Sequence, residues 1–339
     1  MSAARLGKLP RNTILVGDAV DRLRQLPSSS VDCVITSPPY HLLRRYGGGP
    51  QEIGTDEHVD RYVARLVAVM DEIARVLTPS GSVWLNLGDS YSRHARFGAP
   101  PKSLLLAPER LLLALSRRGW IVRNKVVWAK TSAMPASVAD RLTCTWEPLY
   151  FLVRSRHYYF DLNVIRRPHA SRRSAARRPP HSKYGGDRAW AGPFVGRNDG
   201  LLKLRSAGIS GHPLGKNPGD VWSLGTASFG GAHFAVFPAG LVLDPIRAGC
   251  PERVCQACHR PWQRQRHRDR LGEVRPVCGC IAAWRPGLVC DPFLGSGTTA
   301  LIAEQQGRDW LGVELVSANA ALAWQRISAQ RARASPTAA

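Results

Sequence analysis

The chain has 339 residues, 44% of them hydrophobic, which is enough for one large domain or two modest ones with a core. It carries 47 lysines and arginines against 25 acids, a formal net charge of +22. An excess of this size favours a polyanionic partner, most often nucleic acid, although a GC-rich genome also enriches arginine. No apolar run reaches 18 residues and no signal-peptide core is present near the N-terminus, so we expect a soluble intracellular protein without a membrane segment.

The first half of the chain alternates predicted strands with predicted helices. The longest helix is indicated by apolar residues three and four positions apart, and Pro79-Ser80-Gly81 is expected to stop it. This alternation predicts an α/β fold with a mostly parallel sheet covered on both faces. The predicted strands are Asn12–Val16, Val31–Thr36, Val83–Leu87, Ile121–Trp128 and Leu149–Val153, and the helices are Asp21–Leu26, Val59–Leu77 and Leu104–Leu115.

The composition changes after Phe160. The stretch from Arg166 to Arg188 has eight basic residues and one acid, Asp187, and it predicts a basic loop or, equally, a solvated linker. Regular structure is expected again from Val221-Trp222. The later predicted elements are a helix from Phe237-Pro238 to Ile246, a strand over Gly287–Cys290, a helix over Thr298–Gln306, a strand over Trp310–Val313 and a last helix.

The segment Asp291–Thr299 is typical of a glycine turn that binds a nucleoside cofactor. A short apolar strand leads into it, Gly295 and Gly297 allow a tight turn beneath a ligand, and Thr298 opens a helix whose free N–H groups face that ligand. Glu314 ends the next strand, where an acid can accept from a ribose diol. The same glycines also fit a dinucleotide fingerprint, whereas the absence of a following lysine excludes a Walker phosphate loop.

The position of the glycine turn separates these two interpretations. Only 25 residues follow Glu314, too few for the further strands of a dinucleotide fold, so earlier strands must complete the sheet. Placing Asn12–Asp18 next to the Glu314 strand, and then Val31–Thr36, restores the usual order of a cofactor-binding sheet in permuted form. Asp18 then lies beside Glu314, in position to meet an adenine amino group.

The segment Ser37-Pro38-Pro39-Tyr40 follows the predicted strand Val31–Thr36. An exocyclic amine of cytosine or adenine is a poor nucleophile, and acceptors for both of its protons stabilise the positive charge that grows during attack. Ser37 Oγ and the Pro38 carbonyl are suitable acceptors, the prolines stiffen the loop, and Tyr40 can stack on a flipped base. By itself the segment also fits a rigid turn at a strand end.

Five of the eight cysteines fall between Cys250 and Cys280. Two close pairs separated by a loop predict a structural zinc site, with reduced thiols as the alternative and Cys250 or His259 as substitute ligands. An arginine-rich arm between the pairs suits DNA phosphates. The predicted zinc ligands are Cys255, Cys258, Cys278 and Cys280. The remaining cysteines, Cys33, Cys144 and Cys290, are expected in or beside strands as core residues.

Together these motifs resemble the β group of DNA amino-methyltransferases, in which the catalytic motif precedes the target-recognition region and the cofactor motif comes last. The resemblance spans nearly the whole chain. Besides Thr36–Tyr40 and Asp291–Thr299, it is carried by Gly17-Asp18, Trp84 to Ser90, Arg123 to Trp128, Tyr158 to Asp161, Pro218 to Trp222 and Phe237-Pro238.

The resemblance implies a circularly permuted Rossmann-like fold and S-adenosylmethionine as methyl donor. It implies contacts to that donor from Asp18, Phe237, Pro238, Asp291, Phe293, Gly295, Ser296, Gly297, Thr298, Thr299 and Glu314. Ser37 is commoner in enzymes that modify cytosine N4, so cytosine is preferred and adenine N6 is the alternative. Cytosine C5 methylation is excluded, because it needs a cysteine after a proline and no Pro-Cys dipeptide occurs.

The resulting hypothesis is a site-specific methyltransferase of double-stranded DNA, cytoplasmic in a bacterium or phage, monomeric or homodimeric, with a restriction endonuclease as a candidate partner. RNA methylation, a non-catalytic DNA-binding scaffold and a nicotinamide-dependent oxidoreductase are the competing classes. We expect residues 1–162, 221–249 and 287–339 to form the methyltransferase domain, with residues 163–220 recognising the target and residues 250–286 forming the zinc-binding insert.

Overall fold

The computed structural model describes residues 9–169, 212–226, 237–267 and 269–334. The chain folds as two compact units, one of residues 1–161, 219–263 and 274–339, the other of residues 162–218 and 264–273. In the smaller unit, Arg167 and Lys216 pair through their backbones. Within the described ranges, no helix is both long and apolar enough to cross a bilayer.

The larger unit contains an eight-stranded sheet in the order β1-β12-β11-β2-β3-β5-β4-β6. The described strands of the chain are β1 (Thr13–Val16), β2 (Val31–Thr36), β3 (Leu77–Asn86), β4 (Ile121–Lys130), β5 (Trp146–Val153), β6 (Val221–Leu224), β7 (Val254–Cys255), β8 (Gln263–Arg266), β9 (Leu271–Arg275), β10 (Trp284–Arg285), β11 (Leu288–Asp291) and β12 (Asp309–Glu314).

The described residues form six α-helices that accompany these strands. They are α1 (Ala19–Arg24), α2 (Val59–Val76), α3 (Ala107–Arg117), α4 (Ala239–Gly249), α5 (Thr298–Gln305) and α6 (Ser317–Ala334). Helices α1 to α3 bury apolar side chains in a cluster on one face of the sheet, and α4 to α6 do so on the other. The sheet is therefore covered on both faces, as the alternating pattern predicts, and its central strands β2 and β11 are buried throughout.

Seven of the eight strands run in one direction, and β5 alone is antiparallel to its neighbours. The carboxyl ends of β2, β3, β4, β11 and β12 therefore meet at one edge of the sheet, together with the amino end of β5. Polar residues end several of these strands, and β5 brings Glu147 to the same edge. This edge is where a ligand binds in open α/β sheets.

The position of Val31–Thr36 differs from the predicted order. Strand β1 pairs with β12, so that Val16 lies opposite Glu314 and Asp18 follows close by, as expected. Strand β2 does not come next to β1, however, but pairs with β11 on the other side of the glycine turn. The end of β2 and the end of β11 are consequently direct neighbours in the sheet.

Several element boundaries also differ from the predictions, and those of β3 and α3 have a clear physical reason. Strand β3 begins at Leu77 and runs through Pro79 to Gly81, because Leu77 already pairs with Val31 in β2. Helix α3 begins at Ala107, three residues later than predicted. The Asp89 carboxylate accepts from the N–H groups of Leu106 and Ala107, which have no partner within the helix itself, and so sets its first turn.

Asp291 joins the two neighbouring strand ends. It is buried at the end of β11, where its Oδ1 accepts from Thr36 Oγ1 at 2.7 Å and its Oδ2 accepts from Thr299 Oγ1 at 2.6 Å. Burial raises the pKa of this carboxyl from 3.8 to about 6, even though hydrogen bonds from both threonines oppose the shift. Above pH 6 the Asp291 carboxyl is ionised, which costs free energy because the group is buried. The hydroxyls of the two threonines stabilise this charge.

Replacing Asp291 with asparagine should change the pH dependence of stability. Between pH 4 and pH 6 the unfolded chain loses this proton while the folded chain keeps it, so wild-type stability falls as pH rises. Two pKa units correspond to about 3 kcal/mol. The Tm of Asp291→Asn relative to wild type should therefore rise across this window and stay level above pH 7.

Ser116→Ala, at an exposed position on α3 with no titratable group, serves as the control and should show a flat difference. Thermal unfolding followed by circular dichroism at closely spaced pH values measures both differences. An Asp291→Asn curve parallel to wild type from pH 4 to pH 7 would show that Asp291 is not desolvated in the folded protein.

Candidate active site

A cavity of about 430 Å³ lies at the edge where the strand ends meet. This volume falls within the range of small-molecule and cofactor pockets, roughly 300–1,000 Å³. The loop after β2 and the glycine turn after β11 both line it. Two segments far apart in the sequence thus share one cavity because β2 and β11 are paired.

Most of the predicted site residues line this cavity. They are Asp18, Ser37, Pro38, Pro39, Tyr40, Phe237, Phe293, Gly295, Ser296, Thr298 and Glu314. Four others, although also in the described part of the chain, do not: Pro238, Asp291, Gly297 and Thr299. Asp291 and Thr299 are buried and hydrogen-bonded to each other. Pro238 precedes the first turn of α4, and Gly297, with φ of 82°, packs against Ala323 before α5. These four shape the wall without facing a ligand.

The cofactor end of the cavity is organised around Glu314. Its Oε2 accepts from the N–H of Gly295 at 2.9 Å and its Oε1 from the N–H of Val316 at 3.0 Å. The carboxylate thereby fixes the glycine turn while lining the cavity. Asp18 lies on the neighbouring strand end, where its Oδ1 accepts from the N–H groups of Val20 and Asp21 and caps α1.

The same end of the cavity fits S-adenosylmethionine. The Thr298 hydroxyl is buried in the wall and has no hydrogen-bond partner among the described residues, which leaves it available to a ligand. Acidic Asp18 and Glu314 suit the ribose hydroxyls, the adenine amine and the positive charges of this molecule. The aromatic rings of Phe237 and Phe293 supply apolar surface.

The other end of the cavity is built around Tyr40. Its ring lies against Gly88, where an added Cβ would come within 2.5 Å of Tyr40 Cε2, so the close contact requires glycine. The Tyr40 hydroxyl lies 2.6 Å from Glu147 Oε2 and 3.0 Å from Asn86 Oδ1. Burial, followed by the negative charge of Glu147, raises the pKa of Tyr40 well above 10, so this phenol stays neutral and donates its proton.

Ser37 is oriented by Asn86. Ser37 Oγ donates to Asn86 Oδ1 at 3.3 Å, and the Asn86 amide donates in turn to the Pro148 carbonyl at 3.1 Å and to Glu147 at 3.3 Å. Because the hydroxyl proton of Ser37 is directed at Asn86, the lone pairs of Ser37 Oγ remain to accept from a ligand in the cavity. This arrangement can bind an amino group by its protons.

Several polar residues of the cavity have no predicted role, among them Asn86, Lys130 and Glu147. Lys130 Nζ donates to Glu147 Oε1 at 2.5 Å. A signal for two of these three residues is present in the sequence, since Asn86 and Lys130 each directly follow an apolar run at the carboxyl end of a strand. Glu147 gives a weaker signal, a single acid at the start of an apolar run, because only the reversed direction of β5 brings it to this edge.

The four cysteines of the insert cluster. The sulphur atoms of Cys255, Cys258, Cys278 and Cys280 all lie within 4.8 Å of one another. The strands that flank the cluster pair with Cys255 opposite Trp284, and Arg253 stacks over the Trp284 ring at 4.5 Å. Tetrahedral zinc with thiolate bonds of about 2.3 Å keeps its sulphurs about 3.8 Å apart, so the cluster has the composition and size of a zinc site.

The other cysteines lie apart from this cluster. Cys33, Cys250 and Cys290 are buried in the core. The prediction that Cys144 is a core residue is wrong: Cys144 is exposed in the loop between β4 and β5, and it lines the cavity. Most of the basic stretch predicted to recognise the target, residues 170–211, lies outside the described residues, as does Arg268 of the arginine-rich arm.

Solved structures show the fold of this chain. The structure titled PvuII DNA methyltransferase (cytosine-N4-specific) matches with a TM-score of 0.57 at 18% identity, over 98% of this chain and 94% of that one. A protein from Thermus thermophilus solved with S-adenosyl-L-methionine matches with a TM-score of 0.52 at 21% identity, over 94% and 95%. The chain therefore has a mixed α/β methyltransferase fold.

Sequence relatives and a family model identify the chain further. The type II methyltransferase M.SmaI of Serratia marcescens is 31% identical, over 94% of this chain and 91% of its own length. M.SfiI of Streptomyces fimbriatus is 30% identical, over 90% and 88%. The family model described as DNA methylase matches residues 31–323. The chain belongs to this family of N6-adenine and N4-cytosine DNA methylases, and it is an S-adenosylmethionine-dependent methyltransferase.

Proposed function

We propose that the protein methylates the N4 amine of a cytosine flipped out of double-stranded DNA, at a specific sequence. The observation that carries this proposal is the shared cavity, in which the loop Ser37–Tyr40 faces the turn around Gly295. A base amine and a methyl donor can meet there directly. No covalent enzyme intermediate is needed, because the amine nitrogen itself attacks the methyl group.

The chemistry assigned to the chain is to bind and orient the amine. Ser37 Oγ and the Pro38 carbonyl accept its two protons, which favours a tetrahedral nitrogen with a free lone pair and stabilises the developing charge. Asn86 keeps the Ser37 lone pairs turned to the cavity. Pro39 stiffens the loop, and Tyr40 presents a fixed ring on which the flipped base stacks.

The cofactor residues are proposed on the same geometry. S-adenosylmethionine supplies an electrophilic methyl group on a sulphonium. Glu314 accepts from its ribose hydroxyls and Asp18 from its adenine amine, while Phe237 packs near the methionine end. Gly295, Ser296 and Thr298 contact it from the glycine turn, and Asp291, Gly297 and Thr299 hold that turn in shape.

Cytosine is preferred over adenine as the target on two grounds. Ser37 is the serine variant of the catalytic motif, and the structural neighbour with a TM-score of 0.57 is titled cytosine-N4-specific. Methylation of adenine N6 is the second candidate, because the same pair of acceptors can hold either amine. The intact catalytic and cofactor segments argue against a DNA-binding scaffold without activity.

The strand order supports a circularly permuted cofactor-binding sheet. The glycine turn follows β11, near the end of the chain, yet β11 is central in the sheet and is flanked by β12 and β2. Residues 163–220 are proposed to recognise the target sequence. The relatives are named type II methyltransferases, which suggests a cognate endonuclease for this chain as well.

Zinc is proposed for the four-cysteine cluster. It would hold the two cysteine pairs together beside the paired strands β7 and β10 of the larger unit, and Arg285 of β10 donates to Asp32 of the central strand β2 at 2.6 Å. The metal is thus assigned a structural role. The arginines between the two cysteine pairs would then add phosphate contacts, with affinity that falls as salt rises.

Mapping of modified bases tests the function directly. DNA from cells that express the protein should carry N4-methylcytosine at one short sequence, and DNA from cells without it should not. Sequencing at single-base resolution gives both the base and the site. N6-methyladenine at the mapped site would select the second candidate, and unmodified DNA would contradict the proposal as a whole.

Ser37→Ala should lower the rate of methyl transfer by about 100-fold, since it removes one acceptor from the charge that develops in the transition state. Tyr40→Ala should lower kcat/KM roughly tenfold or more through lost stacking. Transfer of labelled methyl groups to the mapped duplex measures both. Calorimetry should show unchanged binding of S-adenosylmethionine to Ser37→Ala, and Ser116→Ala on the exposed side of α3 should match wild type.

Cys278→Ser combined with Cys280→Ser should remove bound zinc and lower the Tm. Mass spectrometry of the purified protein should find one zinc per chain in wild type and in Cys144→Ser, whose thiol is exposed and lies outside the cluster. A wild-type protein that neither contains zinc nor gains thermal stability from added zinc would contradict the assignment.

A further inference from the structure

The base end of the cavity contains an ion pair that the methyl-transfer chemistry does not itself require. Lys130 ends β4 and Glu147 lies near the start of β5, and their 2.5 Å contact is largely shielded, with side chains 19% and 16% exposed. Both side chains line the cavity. Removing two charges from water is costly unless further contacts offset the loss, so the additional partners of each residue are informative.

Glu147 connects the pair to the catalytic loop. Its Oε1 accepts from Lys130, while its Oε2 accepts from Tyr40 and from the amide of Asn86, which orients Ser37. Lys130 is held from another side as well, because its ammonium lies over the Trp128 ring at 5.1 Å from the centroid. The ammonium is therefore fixed within the same polar network that orients the base acceptors.

The fixed ammonium is a donor in a pocket whose amine-binding groups are acceptors. A lysine ammonium has three protons, of which Glu147 takes one, so the others remain for a ligand. When a cytosine places its N4 amine at Ser37, its N3 and O2 follow along the same edge, and both are acceptors. Adenine with its N6 amine at Ser37 presents N1 and then a C–H group, with no oxygen at the position of O2.

We infer that Lys130 selects the target base by donating to O2 of the flipped cytosine, with Glu147 as the residue that positions it. This inference rests on the proposed function and names the group that distinguishes its two candidate bases. A base that enters the pocket takes the ammonium out of water. Adenine then offers no acceptor at the position of O2 to replace the hydrogen bond that water would otherwise supply. Sites of this kind discriminate strongly against the analogue that lacks the bonding group.

Glu147 also has an electrostatic role in this arrangement. Methylation builds positive charge on the base, and an unpaired ammonium at its edge would oppose the reaction. The carboxylate 2.5 Å away neutralises that ammonium, so Lys130 can read the base without slowing the transfer. Removing Glu147 should consequently slow methylation of either base, whereas removing Lys130 should act mainly on cytosine.

The test uses the full-length protein and duplexes of the mapped sequence, with the target base opposite an abasic site so that base pairing does not limit flipping. The target is cytosine, adenine, or 2-thiocytosine, whose sulphur is a weak acceptor in place of O2. Lys130→Met should lower kcat/KM for cytosine at least tenfold and leave adenine within threefold. Wild type should lose a similar factor on 2-thiocytosine, and Lys130→Met should be indifferent to that substitution.

Two further variants separate selection from folding. Lys125→Met changes another lysine of β4, one that pairs with Glu109 outside the cavity, and should behave as wild type on every duplex. Lys130→Arg keeps a cationic donor and should retain more of the cytosine preference than Lys130→Met. Glu147→Gln should lower the rates on cytosine and adenine together.

Equal losses on cytosine and adenine in Lys130→Met would overturn the inference, as would a wild-type enzyme that treats cytosine and 2-thiocytosine alike. A raised KM for S-adenosylmethionine in Lys130→Met, with base preference unchanged, would assign Lys130 to the cofactor instead. A wild-type protein that methylates neither base contradicts the proposed function itself, and these results are therefore distinguishable.

Discussion

The buried carboxylate of Asp291 is the contact on which the site depends. It accepts hydrogen bonds from Thr36 and Thr299, and so joins the strand that carries the catalytic loop to the helix that follows the glycine turn. Thr36 is 255 residues away in sequence. Because both oxygens are used, this one side chain links the two loops beyond the backbone pairing of β2 with β11, at the cost of a charge buried in the sheet.

The antiparallel direction of β5 places a polar network at the base end of the cavity. With β5 antiparallel, its amino end lies at the edge where the other strands end, so Glu147 can contact Tyr40, Asn86 and Lys130. A parallel strand at this position would begin at the opposite edge. The polar network at the base end is thus a consequence of strand direction, and it orients the Ser37 acceptor and a cation in the same pocket.

Local signals predicted much of the fold. Apolar runs ended by polar residues marked the strands, and helical spacing marked α2, since both patterns depend on neighbours in sequence. The order of strands was predicted only in part. Asn12–Val16 lies beside the Glu314 strand as expected, but Val31–Thr36 lies beside the glycine-turn strand instead. Two buried strands of similar composition do not encode which neighbour each one has. Local sequence likewise did not show that Cys144 is exposed at the cavity rather than buried in the core.

The sequence by itself determined the chemistry of the local segments: the stiff acceptor loop Ser37–Tyr40, the glycine turn of Asp291–Thr299, and the two cysteine pairs. Each of these motifs depends on the backbone freedom and side chains of a few consecutive residues, so it can be recognised from the sequence without knowledge of the fold. Only the tertiary structure decided that Asn86, Lys130 and Glu147 share the cavity. Their meeting depends on the order and direction of β3, β4 and β5, which long-range packing sets and local sequence does not encode.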